Sequence, residues 1–80
     1  TVVFRDINPK APVHLLVCPK KHIQSLIELE DKNLMAELMQ TVKDSAKKAG
    51  LKAYKVQINT GKEAGQEVMH LHIHVMGKAE

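Results

Sequence analysis

The run His70-Leu71-His72-Ile73-His74-Val75-Met76 alternates imidazole and aliphatic side chains without a break. Successive side chains of a β-strand point to opposite faces, so this spacing puts three imidazoles on one face and Leu71, Ile73 and Val75 on the other. Such a strand must bury its oily face, while the other looks into water or a cleft. Three of the chain's five histidines stand here. Imidazole titrates nearer neutrality than any other side chain, and packing does not call for three in register.

The rest of the chain supplies what that strand packs against. Residues 1–5 are β-prone, residues 6–12 carry Pro9 and Pro12 and read as a turn, and residues 13–18 form a second strand stopped by Pro19. Apolar residues then fall at Leu34, Met35, Leu38, Met39, Val42, Ala46 and Ala49, with Glu37, Gln40, Lys43, Asp44 and Lys47 on the wet side, which is a helical period. Asp31 as N-cap and Gly50 just past the end predict a helix over about 31–49. Ser25-Leu26-Ile27-Glu28 matches a capping box and predicts a short turn before it. Residues 54–59 and 68–76 read as two further strands around the loop 60–67, which carries Gly61 and Gly65. The order strand, strand, helix, strand, strand predicts an α+β fold: a mainly antiparallel sheet with one long helix packed on one face. The aliphatic face of the last strand meets the Leu/Met stripe, and the histidine face looks into a cleft.

Eighty residues suffice for one domain, 1–80, with a thin margin of stability, and no repeat or linker divides them. The chain opens on the apolar run Thr1-Val2-Val3-Phe4 without a methionine and stops soon after Met76, so the expectation is a domain whose ends have been cut. Twelve basic residues against nine acidic ones give a net charge of +3, but the basic pairs Lys20-Lys21 and Lys47-Lys48 are short, and Phe4 and Tyr54 are the only aromatic rings of the Phe/Tyr/Trp kind. A nucleic-acid polymer is a poor fit; a small anion such as a phosphate ester is a better one. The single Cys18 excludes an intrachain disulfide and reads as a buried small hydrophobe in a reducing compartment. No apolar segment is long enough to span a bilayer and no signal-peptide pattern opens the chain, so the expectation is a soluble, cytoplasmic protein with no membrane partner.

The histidine run has four readings: a solvated strand face, a metal site, a nucleophilic centre, and a binding pocket without turnover. Threonine, serine or lysine would fill a wet face as well, which weakens the first. Two histidines two apart on a strand can bind one zinc, but three in line span roughly 13 Å between first and third Cα at about 3.3 Å per residue and do not easily converge on one ion, which makes the metal reading secondary. The expectation is a site without metal or other cofactor. In the third reading an imidazole attacks phosphorus, its neighbours carry protons, and crowding of the rings keeps the central one neutral. Backbone amides around Gly61, Gly65 and Gln66 would meet phosphoryl oxygens.

Four blocks stand beside this run: Phe4-Arg5-Asp6-Ile7-Asn8-Pro9, Ala11-Pro12-Val13-His14-Leu15-Leu16-Val17, Pro19-Lys20-Lys21-His22-Ile23, and Ala64-Gly65-Gln66-Glu67-Val68. Together, in this order from Phe4 to Gly77, they resemble the histidine triad (HIT) superfamily and, within it, the histidine triad nucleotide-binding branch. The resemblance implies a homodimeric hydrolase or transferase of purine nucleoside phosphoramidates, such as AMP or GMP joined to an amine. It implies His72 as nucleophile, His74 on the phosphate, and His70 in a relay with His14. It places Asp6 on the ribose hydroxyls, Phe4, Ile7 and Leu16 around the base, and Asn59, Gly65, Gln66 and Val68 on the phosphate side. Asp6 alone reads as a turn cap, His14 alone as a partly buried strand histidine, and His22 as part of the turn leading to the helix. Glu67 replaces a hydroxyl residue of several members, and a carboxylate there suits an amine-bearing leaving group. Members also carry a helix and strand before Phe4 and a tail beyond the triad. The alternatives are a non-catalytic purine nucleotide-binding module and a dinucleoside polyphosphate hydrolase.

Overall fold

Two-residue alternation in the second strand decides which way the sheet faces. In the computed structural model, which describes residues 1–79, β2 (Val13–Cys18) turns Val13, Leu15 and Val17 into the core and His14, Leu16 and Cys18 to the opposite face. It pairs on one side with β1 (Val2–Arg5) and on the other with β4 (Ile73–Gly77), which in turn pairs with β3 (Tyr54–Gln57). The sheet order is β1-β2-β4-β3 and every pairing is antiparallel. β2 and β3 therefore run parallel with β4 between them, and the helix α1 (Lys32–Lys48) makes the crossover. This is the α+β fold the residue pattern predicts.

The helix forms where its caps say it should. The Asp31 carboxylate accepts from the N–H groups of Asn33 (2.9 Å) and Leu34 (3.1 Å), and Gly50 takes a left-handed φ of +78° just past the C-terminus. Ser25 likewise accepts from the Ile27 N–H to cap a single 3-10 turn over Leu26–Glu28. Leu38, Val42 and Ala46, one turn apart, form the ridge that packs on Val17, Leu71, Ile73 and Val75, all almost wholly buried. Met35 and Met39 lie to one side of that ridge and stay 38% and 44% exposed, so the buried stripe is narrower than the apolar pattern. Among the described residues no helix is long and apolar enough to cross a membrane.

The last strand is shorter than predicted. Its ladder begins at Ile73, which faces Val17, and the next step would set Leu71 against Pro19, which has no N–H to give. The Leu71 N–H turns instead to the Ile23 carbonyl at 2.7 Å. Side chains keep alternating through the break, with Leu71 and Ile73 each 1% exposed. His70 and His72 thus stand just outside the sheet, and His74 stands within it.

Candidate active site

Strand register assembles the site. Leu16 faces His74, Phe4 faces Leu16 and Gln57 faces His74, so one row, Phe4-Leu16-His74-Gln57, crosses the sheet on the side away from the helix. In the next row His14 faces Met76, which faces Lys55. An open cleft of about 1680 Å³ lies over these rows. Its lining includes His14, His70, His72, His74, Phe4, Asp6, Ile7, Leu16, Asn59, Gly65 and Val68, with Ile7 and Val68 on the rim at 91% and 62% exposure.

Gln66 is a correction: it does not line the cleft. Its side chain is buried, with Nε2 donating to the carbonyls of Gln24 (2.7 Å) and Val68 (3.0 Å) and Oε1 accepting from the Gly61 N–H (2.8 Å). It laces the loop to the chain before the helix and leaves no group for a ligand. Gly65 beside it holds φ +92°, a conformation that favours glycine.

The histidines fall into two pairs. His14, 3% exposed, has Nδ1 3.0 Å from the Lys10 N–H, which donates to it, and Nε2 2.8 Å from His74 Nδ1 and 3.4 Å from Asp6 Oδ2. His70 donates from Nε2 to the Pro19 carbonyl at 3.0 Å, and its Nδ1 lies 3.3 Å from His22 Nδ1. The relay partner expected for His14 was His70; the register instead puts His14 one cross-strand diagonal from His74 and leaves His70 farther along the chain. His22, read as a turn residue, sits against the His70 ring, with centroids 5.2 Å apart.

His72 lies between the pairs. Its Nδ1–H donates to the His70 carbonyl at 2.7 Å, so the lone pair is on Nε2. Its ring is 5.1 Å from that of His74. His74 Nε2 is buried and without a hydrogen-bond partner, a state that costs about 1–3 kcal/mol. Burial, then the charges His72 and His14 would carry, push the His74 pKa down, against a smaller opposing pull from Asp6.

Asp6 serves its turn as well as the cleft, since its Oδ1 accepts from the Asn8 N–H at 2.8 Å. Asp6, His14 and His74 hold ligand atoms within 4.8 Å of one another, as a metal would require. At 2.8 Å, however, His14 and His74 share a hydrogen bond that a coordinated ion would have to break. The lining carries Arg5, Lys10, Lys20, Lys55 and Lys78 against Asp6 and Glu67, a balance that favours an anion. Cys18, Lys55, Gln57 and Met76 escaped the sequence reading as cleft residues. Cys18 was within reach of it, standing two residues past Leu16 and four past His14 on the same alternating face. Burial pushes its thiol pKa up, away from reactivity.

Residues 1–80 match the HIT domain. The chain belongs to the HIT family. It is 52% identical over 79 residues to protein HitA of Neisseria gonorrhoeae, a match covering 95% of this chain and 74% of HitA. Among solved structures it is similar to a HIT family hydrolase from Legionella pneumophila, with TM-score 0.91, 39% identity, and 98% of this chain matched to 73% of that one. A histidine triad protein from Clostridium difficile gives TM-score 0.87 and 41% identity over 98% of this chain and 72% of that one. This HIT domain therefore shares its fold with proteins solved independently.

Proposed function

We propose that this HIT domain is a purine nucleoside phosphoramidate hydrolase of the nucleotide-binding branch, working through a nucleotidyl intermediate on His72. The observation that carries the reading is the orientation of His72. Its Nδ1–H is held by the His70 carbonyl, its Nε2 lone pair is left for attack, and His74 stands beside it with an unpartnered nitrogen. In the first step the Nε2 lone pair forms a bond to phosphorus, the phosphorus–nitrogen bond of the substrate breaks, and the departing nitrogen takes a proton and leaves as an amine. In the second, water attacks phosphorus, loses a proton and releases the nucleoside monophosphate, returning His72.

Asp6 suits the ribose diol, Phe4, Ile7 and Leu16 offer the apolar wall a purine needs, and Val68 stands on the phosphate side of the cleft. Asn59 and the main chain at Gly65 serve the phosphate side, with Gln66 acting through the loop it ties down. Glu67 lines the same cleft and suits a leaving group that carries an amine. The buried free thiol of Cys18 fits a reducing cytoplasmic setting. Tyr54 and Val56, exposed on the helix side of edge strand β3, together with Met35 and Met39 on α1, supply apolar surface for a homodimer.

The test is incubation with adenosine phosphoramidate, followed by intact-protein mass spectrometry. A transient gain of one nucleotide, absent in His72→Ala, supports the reading. Binding of AMP with no turnover would replace it with a non-catalytic module, and faster cleavage of a diadenosine polyphosphate would move the activity to that substrate.

A further inference from the structure

The direction of the His14–His74 hydrogen bond is set from outside the site. A main-chain N–H is always a donor; it neither titrates nor exchanges roles with an acceptor. The Lys10 N–H lies 3.0 Å from Nδ1 of His14, so that nitrogen must offer its lone pair and the ring's proton must sit on Nε2. The surroundings of Nε2 agree: it faces two acceptors, His74 Nδ1 at 2.8 Å and Asp6 Oδ2 at 3.4 Å. With His14 donating, His74 Nδ1 must accept, and the proton of His74 is forced onto Nε2, the buried nitrogen that has no partner. The ring that carries this N–H has its centroid 5.1 Å from that of His72, the ring proposed above to attack phosphorus, so the N–H belongs to the neighbourhood where negative charge would build on phosphoryl oxygens.

We propose that the backbone amide of Lys10 is a tautomer lock: it fixes His14 as an Nε2–H donor and thereby holds His74 as an Nε2–H donor to the phosphoryl group. Lys10 is thus a positioning residue that acts through its peptide group and not through its side chain. The turn that presents it is itself tied, since the Asp6 carboxylate accepts from the Asn8 N–H at 2.8 Å and the Asp6 N–H donates to the His14 carbonyl at 2.9 Å. Asp6 therefore braces the lock at one end of the turn and faces the locked proton at the other. The tautomers follow from this geometry alone, while their effect on rate rests on the phosphoryl-transfer reading proposed above.

Two measurements test it separately. Nitrogen-15 NMR of the imidazole rings at neutral pH should show the proton on Nε2 of both His14 and His74; a proton on His14 Nδ1 overturns the lock whatever the activity. The chain is short enough for chemical synthesis, so the Lys10 N–H can be replaced by an ester oxygen that keeps the backbone shape. The ester variant should shift the His14 and His74 ring signals and lower kcat on adenosine phosphoramidate. The expected loss lies between about tenfold and the ~10⁴-fold that a wrong imidazole tautomer costs a serine protease. Lys10→Ala, which keeps the N–H and removes only one of the cleft's cations, should keep the parent's ring signals, with its effect falling on KM and not on kcat. An ester variant with unchanged ring signals, or a Lys10→Ala variant that loses as much, overturns the proposal. A parent chain with the expected ring signals but no turnover would sink the proposed activity and leave the lock standing.

Discussion

His14 and His74, 60 residues apart in the chain, share a hydrogen bond from Nε2 to Nδ1 at 2.8 Å because the antiparallel register of β2 and β4 sets them on one diagonal. The bond ties the turn after β1 to the centre of the cleft. Burial of the His74 ring there, with the charges His72 and His14 would carry, holds its pKa below the ordinary histidine value.

Stability should therefore depend on pH through His74. Its folded pKa lies below the ordinary histidine value of about 6.5, so as pH falls through that value the unfolded chain takes up a proton the folded chain declines. The contribution is neutral above that window, and stability falls on acidification until the lowered pKa is passed. Urea unfolding at pH 7.5 and pH 5 should show this loss, and His74→Gln should show a smaller one.

Removing His72, the nucleophile proposed above, should abolish turnover without unfolding the chain. His72 is half-buried and outside the ladder, so His72→Ala should keep its melting temperature within a few degrees while the single-turnover rate drops on the order of 10⁴-fold or more.

Gln66 should behave as a scaffold residue. Gln66→Ala strands the Gly61 N–H and the carbonyls of Gln24 and Val68, so a loss of about 1–3 kcal/mol is expected in denaturant unfolding. Purine analogues should bind it with weakened affinity only as far as the loop loosens, which amide hydrogen exchange at Gly61 would report.

Leu38 is the test of the core. It is 1% exposed at the centre of the ridge on α1, and Leu38→Ala should cost about 2–5 kcal/mol, enough to unfold much of so small a domain at 37 °C. Circular dichroism during heating checks it.

Glu67 should sort substrates by charge. It is solvent-exposed, so its pull on a cationic leaving group is worth only about 0.5–1 kcal/mol after screening. Glu67→Gln should lower kcat/KM a few-fold for phosphoramidates of diamines and leave those of neutral amines unchanged.

Much of this was legible in the residues because it depends on local rules. Asp31 and Gly50 bounded the helix to within a residue, and the two-residue period of residues 70–76 put Leu71, Ile73 and Val75 in the core and the imidazoles in the cleft. What was not legible depends on register between distant strands. Periodicity cannot say that His14 meets His74 and not His70, nor that His22 reaches His70 across the Pro19 turn. Gln66, assigned to the phosphate side by resemblance and by the main-chain amides around it, spends its side chain on three hydrogen bonds and its own N–H on the Gly61 carbonyl, and neither closure is visible in a one-dimensional pattern.

Pro19 gives the site an uneven stiffness. The peptide units from His74 onward are clamped between two neighbouring strands, Ile73 pairs with β2 alone, and those carrying His70 and His72 lie outside the ladder, where the proline opposite Leu71 has nothing to donate. His72 would need to travel toward phosphorus as a covalent bond forms and to recoil as it breaks, whereas His74 would need to stay put and hold charge. The end of the ladder falls between them, so on the proposed mechanism the ring that attacks stands outside the sheet and the ring that holds charge stands within it.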